Sequence, residues 1–136
     1  EVRDAASSSR YHNDIKIILV YDPLFANALQ RAARVVVQKS VREGFGLIVS
    51  EALFKQTPVV ASNVGGIKLQ VLDGRSGYLH DPDNLQGFAQ DVVRILKDDN
   101  LRAEFGRIGR QNVIDNFLLP RLLLNWLNEF AKYLKV

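Results

Sequence analysis

The chain has 136 residues, of which 47% are hydrophobic and 24% are charged, and its formal net charge is +3. This size and composition are typical of one globular domain that buries a real hydrophobic core. The positive charge is mild and forms no block of like sign, which argues against a nucleic-acid partner. The sequence contains no cysteine, so it has no disulfides, thiolate catalysis or thiolate–metal bonds.

The sequence shows neither the histidine spacing of a metal site nor an apolar run long enough to span a membrane. His12 and His80 lie far apart and lack metal-ligand spacing, so we expect no metal site, and His80 is expected at the surface. The apolar stretch over residues 118–124 contains a proline and an arginine and is too short to span a bilayer. No signal peptide is visible and the chain begins without Met. We therefore expect a cytoplasmic protein, and a chain that is a fragment of a longer one.

The first half of the chain alternates predicted strands and helices. Apolar runs of four to six residues predict buried strands, and longer runs between turn residues predict helices. In chain order, the predicted elements are a poorly ordered or helical lead-in (1–14), a buried strand (Ile15–Val20), a helix after Asp22-Pro23 (24–34), a strand (35–38), a Gly-rich turn and a helix (47–55).

The second half contains two more predicted strands and a helical tail. The elements are a strand (59–61), a loop (63–66), a short helix (67–72), a strand (77–80) and three helices. Asp83 and Asn100 are the expected N-caps of the first two helices, and Pro120 lies near the start of the third. Trp126, at helical spacing with other apolar residues, is expected in the core, with a role at a domain interface as the alternative. Because strands alternate with helices, we predict an α/β fold with a parallel sheet that is covered on both faces.

Glu43 and Glu51 enclose the most informative segment, the run EGFGLIVSE between a predicted strand and a predicted helix. A Gly-rich turn at a helix N-terminus binds anions, because the first amides have no intrahelical partner and the helix dipole is positive there. Glu51 lies one turn inside the helix and leans back toward that end. A carboxylate suits vicinal hydroxyls, so the pattern predicts a nucleotide sugar ligand. The alternative is that both acids are only solvated or complement the dipole.

Other candidate residues flank this segment. Arg42 is expected to neutralise a diphosphate, with a solvated loop charge as the alternative, whereas for Lys39 the solvated loop charge is favoured over a diphosphate contact. Gly65-Gly66 follows a strand, and two glycines let a backbone approach a ligand closely. The alternative for this pair is a plain tight turn.

The run from Glu43 to Glu51 resembles the E-x7-E signature of retaining glycosyltransferases with the GT-B architecture, the glycosyl transferase group 1 family. The resemblance covers about residues 15–134 and continues strongly through residues 58–67 and 73–79. A narrower pattern is similar to trehalose synthases, which join a nucleotide-activated glucose to free glucose; it comprises residues 28–32, 38–46 and 65–70. Trehalose phosphorylases share much of this pattern and remain the competing subfamily.

The resemblance implies an enzyme with two Rossmann-like domains and a donor bound in the cleft between them. This chain would be part of the C-terminal, donor-binding domain, with a Rossmann-like parallel sheet and flanking helices. Its expected parts are a lead-in segment (1–14), an incomplete nucleotide-sugar-binding domain (15–117) and a C-terminal helix (118–136).

The resemblance also implies roles at the hexose end of the donor. Glu43 is the expected catalytic residue, and it holds the donor hexose together with the amides of Phe45 and Gly46. The loop at Gly65 and Gly66 faces the same end of the cleft.

At the nucleotide end, the amides of Gly46 and Leu47 are implied to hold the diphosphate, with Arg42 nearby, and Glu51 to hold the ribose. The nucleotide diphosphate sugar is a substrate, and neither a cofactor nor a metal is implied. The expected partners are this donor, a sugar acceptor such as glucose, and an acceptor domain that this chain lacks; a homodimer is left open.

One departure from the family bears on activity. The family's donor domain begins with two further strand–helix units, which supply a diphosphate-binding Arg and Lys, and nothing before Ile15 matches them. We therefore expect the isolated chain to be inactive. Two rival functions stay open: a phosphorylase that uses inorganic phosphate, and a non-catalytic nucleotide- or sugar-binding fragment.

Overall fold

The computed structural model of the chain describes residues 2–19 and 21–134. A single 3₁₀ turn at His12–Asp14 lies between the first two helices. The helices and strands, in chain order, are α1 (Val2–Ser8), α2 (Pro23–Ala32), β1 (Val36–Gln38), α3 (Leu47–Phe54), β2 (Val59–Ser62), α4 (Ile67–Gln70), β3 (Gly77–His80), α5 (Leu85–Lys97), α6 (Asp99–Asn116) and α7 (Leu119–Leu134).

The three strands form one parallel sheet in the order β1-β2-β3. β2 is central, and all four of its residues are buried. Val59 and Ala61 face a cluster with α3 and α4, while Val60 faces a second cluster with α5, because successive strand residues point to opposite faces. The predicted α/β class, with a parallel sheet covered on both faces, is confirmed.

Local sequence signals account for the helix that precedes the sheet. The side chain of Asp22 accepts hydrogen bonds from the amides of Leu24 and Phe25, at 2.9 and 3.2 Å, and Pro23 occupies the first helical position. This is the arrangement that favours a helix start. The Thr57 hydroxyl then donates to the Gln30 carbonyl at 2.7 Å, which ties α2 to the segment that enters β2.

The predicted buried strand at Ile15–Val20 is wrong. Residues 15–19 have no strand partner and are exposed, from 41% at Ile15 to 75% at Leu19, and Val20 lies outside the described residues. No described residue before Val35 is buried. An apolar run becomes a strand only where a neighbouring strand accepts its hydrogen bonds, and the described residues offer none beside this run.

The C-terminal helix is where predicted, but its apolar face is not covered. α7 contains no buried residue, and Trp126, which we expected in the core, is 54% exposed. Its ring stacks instead on Phe130, with centroids 5.6 Å apart. Periodicity determines which face of a helix is apolar, but it does not determine whether another element packs on that face.

Three smaller expectations also need correction. α5 is capped by Asn84 rather than Asp83, and α6 by Asp98 rather than Asn100; these side chains accept from the amides three residues on, at 3.0 and 2.9 Å. His80 is not at the surface: its side chain is only 16% exposed and its Nε2 lies 2.9 Å from a carboxylate oxygen of Asp91. Among the described helices, none is both long and apolar enough to cross a membrane.

Candidate donor-binding site

The candidate site lies at the edge of the sheet where β1 and β2 end. Parallel strands end at the same edge, and ligands of open α/β sheets bind just beyond it. Residues 39–46, which we name the donor loop, connect β1 to α3, and residues 63–66 connect β2 to α4. The structure thus brings the two Gly-rich segments of the sequence side by side.

The glycines of the second loop pack against the donor loop itself. Gly65 has a φ of 51°, and a Cβ at this position would lie 1.7 Å from the Glu43 carbonyl oxygen. The Gly66 amide donates to the Gly44 carbonyl at 2.8 Å. The close approach that these glycines permit is therefore between two backbones, so Gly65 and Gly66 support the site from behind.

Two buried polar side chains also brace the donor loop. The Ser62 hydroxyl, at the end of β2, accepts from the Ser40 amide at 3.0 Å. Gln70, at the end of α4, is fully buried; its Nε2 donates to the Phe45 carbonyl and its Oε1 accepts from the Ser50 hydroxyl at 2.5 Å. Our sequence reasoning assigned no role to Gln70. The available signal was a polar residue three positions after the apolar Ile67, on the face of the helix that is buried.

The carbonyls of the donor loop face the second loop and α4. Those of Glu43, Gly44 and Phe45 lie against Gly65, Gly66 and Gln70, respectively. No described peptide bond is cis, and in a trans peptide the C=O and N–H point in opposite directions. The amides of Phe45 and Gly46 therefore point away from α4.

The start of α3 extends this row of amides. Gly46 is the N-cap with a φ of 83°, and no described side chain caps the helix there. The Leu47 and Ile48 amides have no acceptor within the helix, because they belong to its first turn. Consecutive main-chain amides near one helix end, together with the helix dipole, form a site for an anion such as a phosphate.

An open pocket of about 360 Å³ adjoins this end of α3. It is lined by Gln38, Glu43, Phe45, Gly46, Leu47 and Ile48. Glu43 is half-buried as a residue, and its carboxylate accepts from the Gly44 amide at 3.0 Å, which holds it near the start of the helix. A polar acceptor beside an anion site suits a ligand that carries both hydroxyl groups and a phosphate.

Glu51 and Arg42 lie outside the walls of this pocket. Glu51 is exposed on α3, where its Oε2 accepts from the Gln30 side chain of α2 at 2.9 Å. The Lys55 side chain donates to Oε1 of Gln30 at 2.8 Å. Gln30 of α2 therefore connects Glu51 and Lys55 by hydrogen bonds to both ends of its amide. Arg42 is exposed in the donor loop. The structure therefore groups Glu43 with Phe45, Gly46 and Leu47, and places Glu51 further along the helix.

The described residues contain no group of three or more acidic or histidine side chains placed to hold a metal ion.

The fold and the loop define a class of protein: the chain belongs to the glycosyl transferases group 1 family, whose profile matches residues 13–112. The family predicted from the E-x7-E segment is confirmed. Its architecture is part of a GT-B fold. A solved sucrose-phosphate synthase from Thermosynechococcus elongatus superposes with a TM-score of 0.86 and 26% identity, over 98% of this chain and 34% of that one.

Within this family, the chain is similar to trehalose synthases and trehalose phosphorylases. A trehalose synthase from Rubrobacter xylanophilus is 51% identical over 110 residues, which are 81% of this chain and 26% of that protein. A trehalose phosphorylase from Grifola frondosa is 39% identical over 89 residues, which are 65% of this chain and 12% of that protein. The chain thus spans about a quarter of the length of the trehalose synthase that it matches.

Proposed function

We propose that the chain binds the nucleotide diphosphate sugar donor of a retaining glycosyltransferase, with glucose as the transferred sugar and a sugar such as glucose as the acceptor. The observation that carries this proposal is a pocket at the start of α3 that is lined by Glu43 and by the four consecutive residues Phe45 to Ile48. The similarity to a trehalose synthase supports glucose as the sugar, with trehalose as the product.

Each part of the donor has a candidate partner. The amides of Gly46 and Leu47 suit the diphosphate, since they lie at the positive end of the α3 dipole. Glu43 and the Phe45 amide suit the hexose hydroxyls, and Glu51, one turn further along, suits the ribose. Catalysis would rest on orienting the donor and on stabilising the charge of the leaving diphosphate with fixed amides. We assign no protein nucleophile.

The acceptor would be bound by another part of a longer protein, because the chain spans only 26% of the matched trehalose synthase. We accordingly propose that the isolated chain binds donor without transferring sugar. A cytoplasmic location and the absence of a metal or cofactor stay predictions, and a homodimer stays an open alternative.

The test is a calorimetric titration of the 136-residue chain with uridine, adenosine and guanosine diphosphates and with their glucose conjugates. We expect one base to be preferred, and its glucose conjugate to bind more tightly than the free diphosphate, because Glu43 adds contacts to the hexose. Failure of all six compounds to bind would contradict the proposal. Equal affinity for a diphosphate and its glucose conjugate would remove the hexose assignment alone.

A phosphorylase is the second candidate function, and the match to the Grifola frondosa protein favours it. A phosphorylase needs a site for inorganic phosphate and no ribose contact, so Glu51 would have no ligand. Binding of inorganic phosphate and glucose 1-phosphate, with no binding of nucleotides, would support this alternative.

A further inference from the structure

We infer that Gln70 is a positioning residue for the donor loop: its side-chain amide fixes the direction in which the Gly46 N–H points. The inference rests on the proposed function in one respect, namely that this N–H contacts the donor diphosphate. Gln70 itself lines no part of the pocket, so it acts through the loop.

The contacts of Gln70 use both ends of its amide. Nε2 donates to the Phe45 carbonyl, and Oε1 accepts from the Ser50 hydroxyl in the first turns of α3. The main-chain carbonyl of Gln70 accepts from the Asn112 side chain of α6 at 2.8 Å. One buried residue therefore connects the donor loop, the helix that follows it and α6.

The loop needs such a connection because its own sequence does not fix the peptide between Phe45 and Gly46. Gly44 and Gly46 flank Phe45, and glycine adopts left- and right-handed conformations at similar cost. A flip of this peptide would exchange its N–H and its C=O. The carbonyl would then point toward the anion site, where it repels a phosphate, and a buried Gln70 donor would lose its acceptor.

The amide of Gln70 selects one of these two arrangements. With the Phe45 carbonyl held on the α4 side, the trans geometry of the peptide sends the Gly46 N–H to the pocket side. If Gln70 had only a structural role, replacing it would lower stability and leave the direction of the Gly46 N–H unchanged. If it positions the loop, replacing it would change that direction.

The test compares Gln70→Met, which keeps the volume but removes the donor, with Asn112→Ala as the matched control. Asn112→Ala removes the bond to the main-chain carbonyl of Gln70 and leaves its side-chain amide intact. In each chain, nuclear magnetic resonance measures the residual dipolar coupling of the Gly46 N–H, which reports its direction, and follows a titration with inorganic pyrophosphate at the Gly46 and Leu47 amides. Pyrophosphate represents the donor diphosphate without any choice of base.

We expect Gln70→Met to change the Gly46 coupling while couplings within α5 stay constant, and to weaken pyrophosphate binding by about 10-fold to 100-fold, the range for hydrogen bonds to a charged group. Asn112→Ala should lower thermal stability and leave both readouts as in the wild type. An unchanged Gly46 coupling in Gln70→Met would overturn the inference. So would a wild-type coupling that does not fit the orientation described here, a measurement that needs no variant to fold. Wild-type chain that binds neither pyrophosphate nor nucleotide would instead contradict the proposed function, and the Gly46 coupling would still decide the role of Gln70.

Discussion

At the scale of single residues, the two acids of the E-x7-E segment have different surroundings. Glu43 lies in the wall of the pocket and contacts the main chain of its own loop. Glu51 lies on the exposed face of α3 and contacts α2 through Gln30. Because their surroundings differ, we expect substitutions of Glu43 and of Glu51 to have different effects on ligand binding.

Glu43→Gln should leave nucleoside diphosphate binding intact and reduce the extra affinity that the glucose group provides. The glutamine keeps an oxygen that can accept from the Gly44 amide, so the loop is retained. A hydrogen bond to a neutral amide is weaker than one to a carboxylate, so contacts with the hexose hydroxyls lose strength. Calorimetry with a diphosphate and its glucose conjugate measures both effects. Loss of diphosphate affinity would move Glu43 to the other end of the site.

Glu51→Ala should weaken nucleoside diphosphate binding by about 1.5–3 kcal/mol, the range for hydrogen bonds to a charged group. A carboxylate accepts up to about four hydrogen bonds, so the bond from Gln30 leaves acceptor sites for ribose hydroxyls. Gln30→Ala is the control, since it removes that bond and keeps the carboxylate. If Glu51→Ala binds nucleotide as tightly as the wild type, the ribose assignment is wrong.

Gly46→Ala should reduce both stability and diphosphate affinity, with a stability loss of about 1–2 kcal/mol for a left-handed alanine. Its Cβ would lie 3.1 Å from Ile67, so strain is transmitted to the donor loop. Gly74→Ala is the matched control: Gly74 has a φ of 70° and open space around its Cβ position, and it lines no part of the pocket. Denaturation should show a loss in both variants, and calorimetry a loss of affinity in Gly46→Ala alone.

At the scale of elements, a cluster of ion pairs and hydrogen bonds connects α5, α6 and the residues before β1. Asp99, at the start of α6, pairs with Arg102 of the same helix and with Arg34, just before β1. Arg34 also donates to the Leu96 carbonyl at the end of α5 at 3.3 Å. This exposed cluster is where the ends of three elements meet, and its contribution to stability depends on pH.

Asp99→Asn should lower stability at neutral pH and have less effect in acid. Hydrogen bonds and charges of Arg102 and then Arg34 hold the pKa of the Asp99 carboxyl below its ordinary value of 3.8. The stabilisation by this carboxylate is therefore present above that value and is lost as the pH falls through the lower, folded-state pKa. Urea denaturation at about pH 7 and about pH 3, at low salt, measures the difference between wild type and variant. A difference that is the same at both pH values would contradict this assignment.

The sequence predicted most elements because their signals are local. Gly46 at the start of α3 and Asp22 with Pro23 at the start of α2 each act within a few residues, and these two helices begin where the signals lie. The strand expected at Ile15–Val20 failed because a strand depends on partners that lie elsewhere in the chain. The same reason explains Trp126, whose helix was predicted correctly and whose burial was not.

At the scale of the whole molecule, burial is concentrated in the middle of the chain. The described residues before Val35 and all of the described residues of α7 contain no buried side chain. The central sheet, with α3 to α6 around it, supplies both hydrophobic clusters. The donor loop is attached to this well-packed part, so we expect it to be ordered in the isolated chain.

The isolated chain should bind donor and transfer no sugar, whereas a chimera should transfer glucose. The chimera carries this chain in place of the 110 residues that it matches in the Rubrobacter xylanophilus trehalose synthase, at 51% identity. The assay is formation of trehalose from a nucleotide-activated glucose and free glucose, and the Glu43→Gln chimera, for which we expect reduced transfer, is the comparison. A folded chimera that binds donor but makes no product would favour a non-catalytic binding role for this chain.

The sequence by itself determined the family and the parallel α/β class, and it predicted where the site lies, because the E-x7-E run, the turn residues and the apolar periodicities are local patterns. Only the tertiary structure decided which way the loop peptides point. That direction depends on hydrogen bonds between residues far apart in the sequence. The Gly66 amide donates to the Gly44 carbonyl, and the Gln70 side chain donates to the Phe45 carbonyl, 25 residues away. A local pattern cannot encode such contacts, because they arise only when separate elements pack against one sheet. For the same reason, the support that Gln70 gives to the donor loop became visible only in the folded chain.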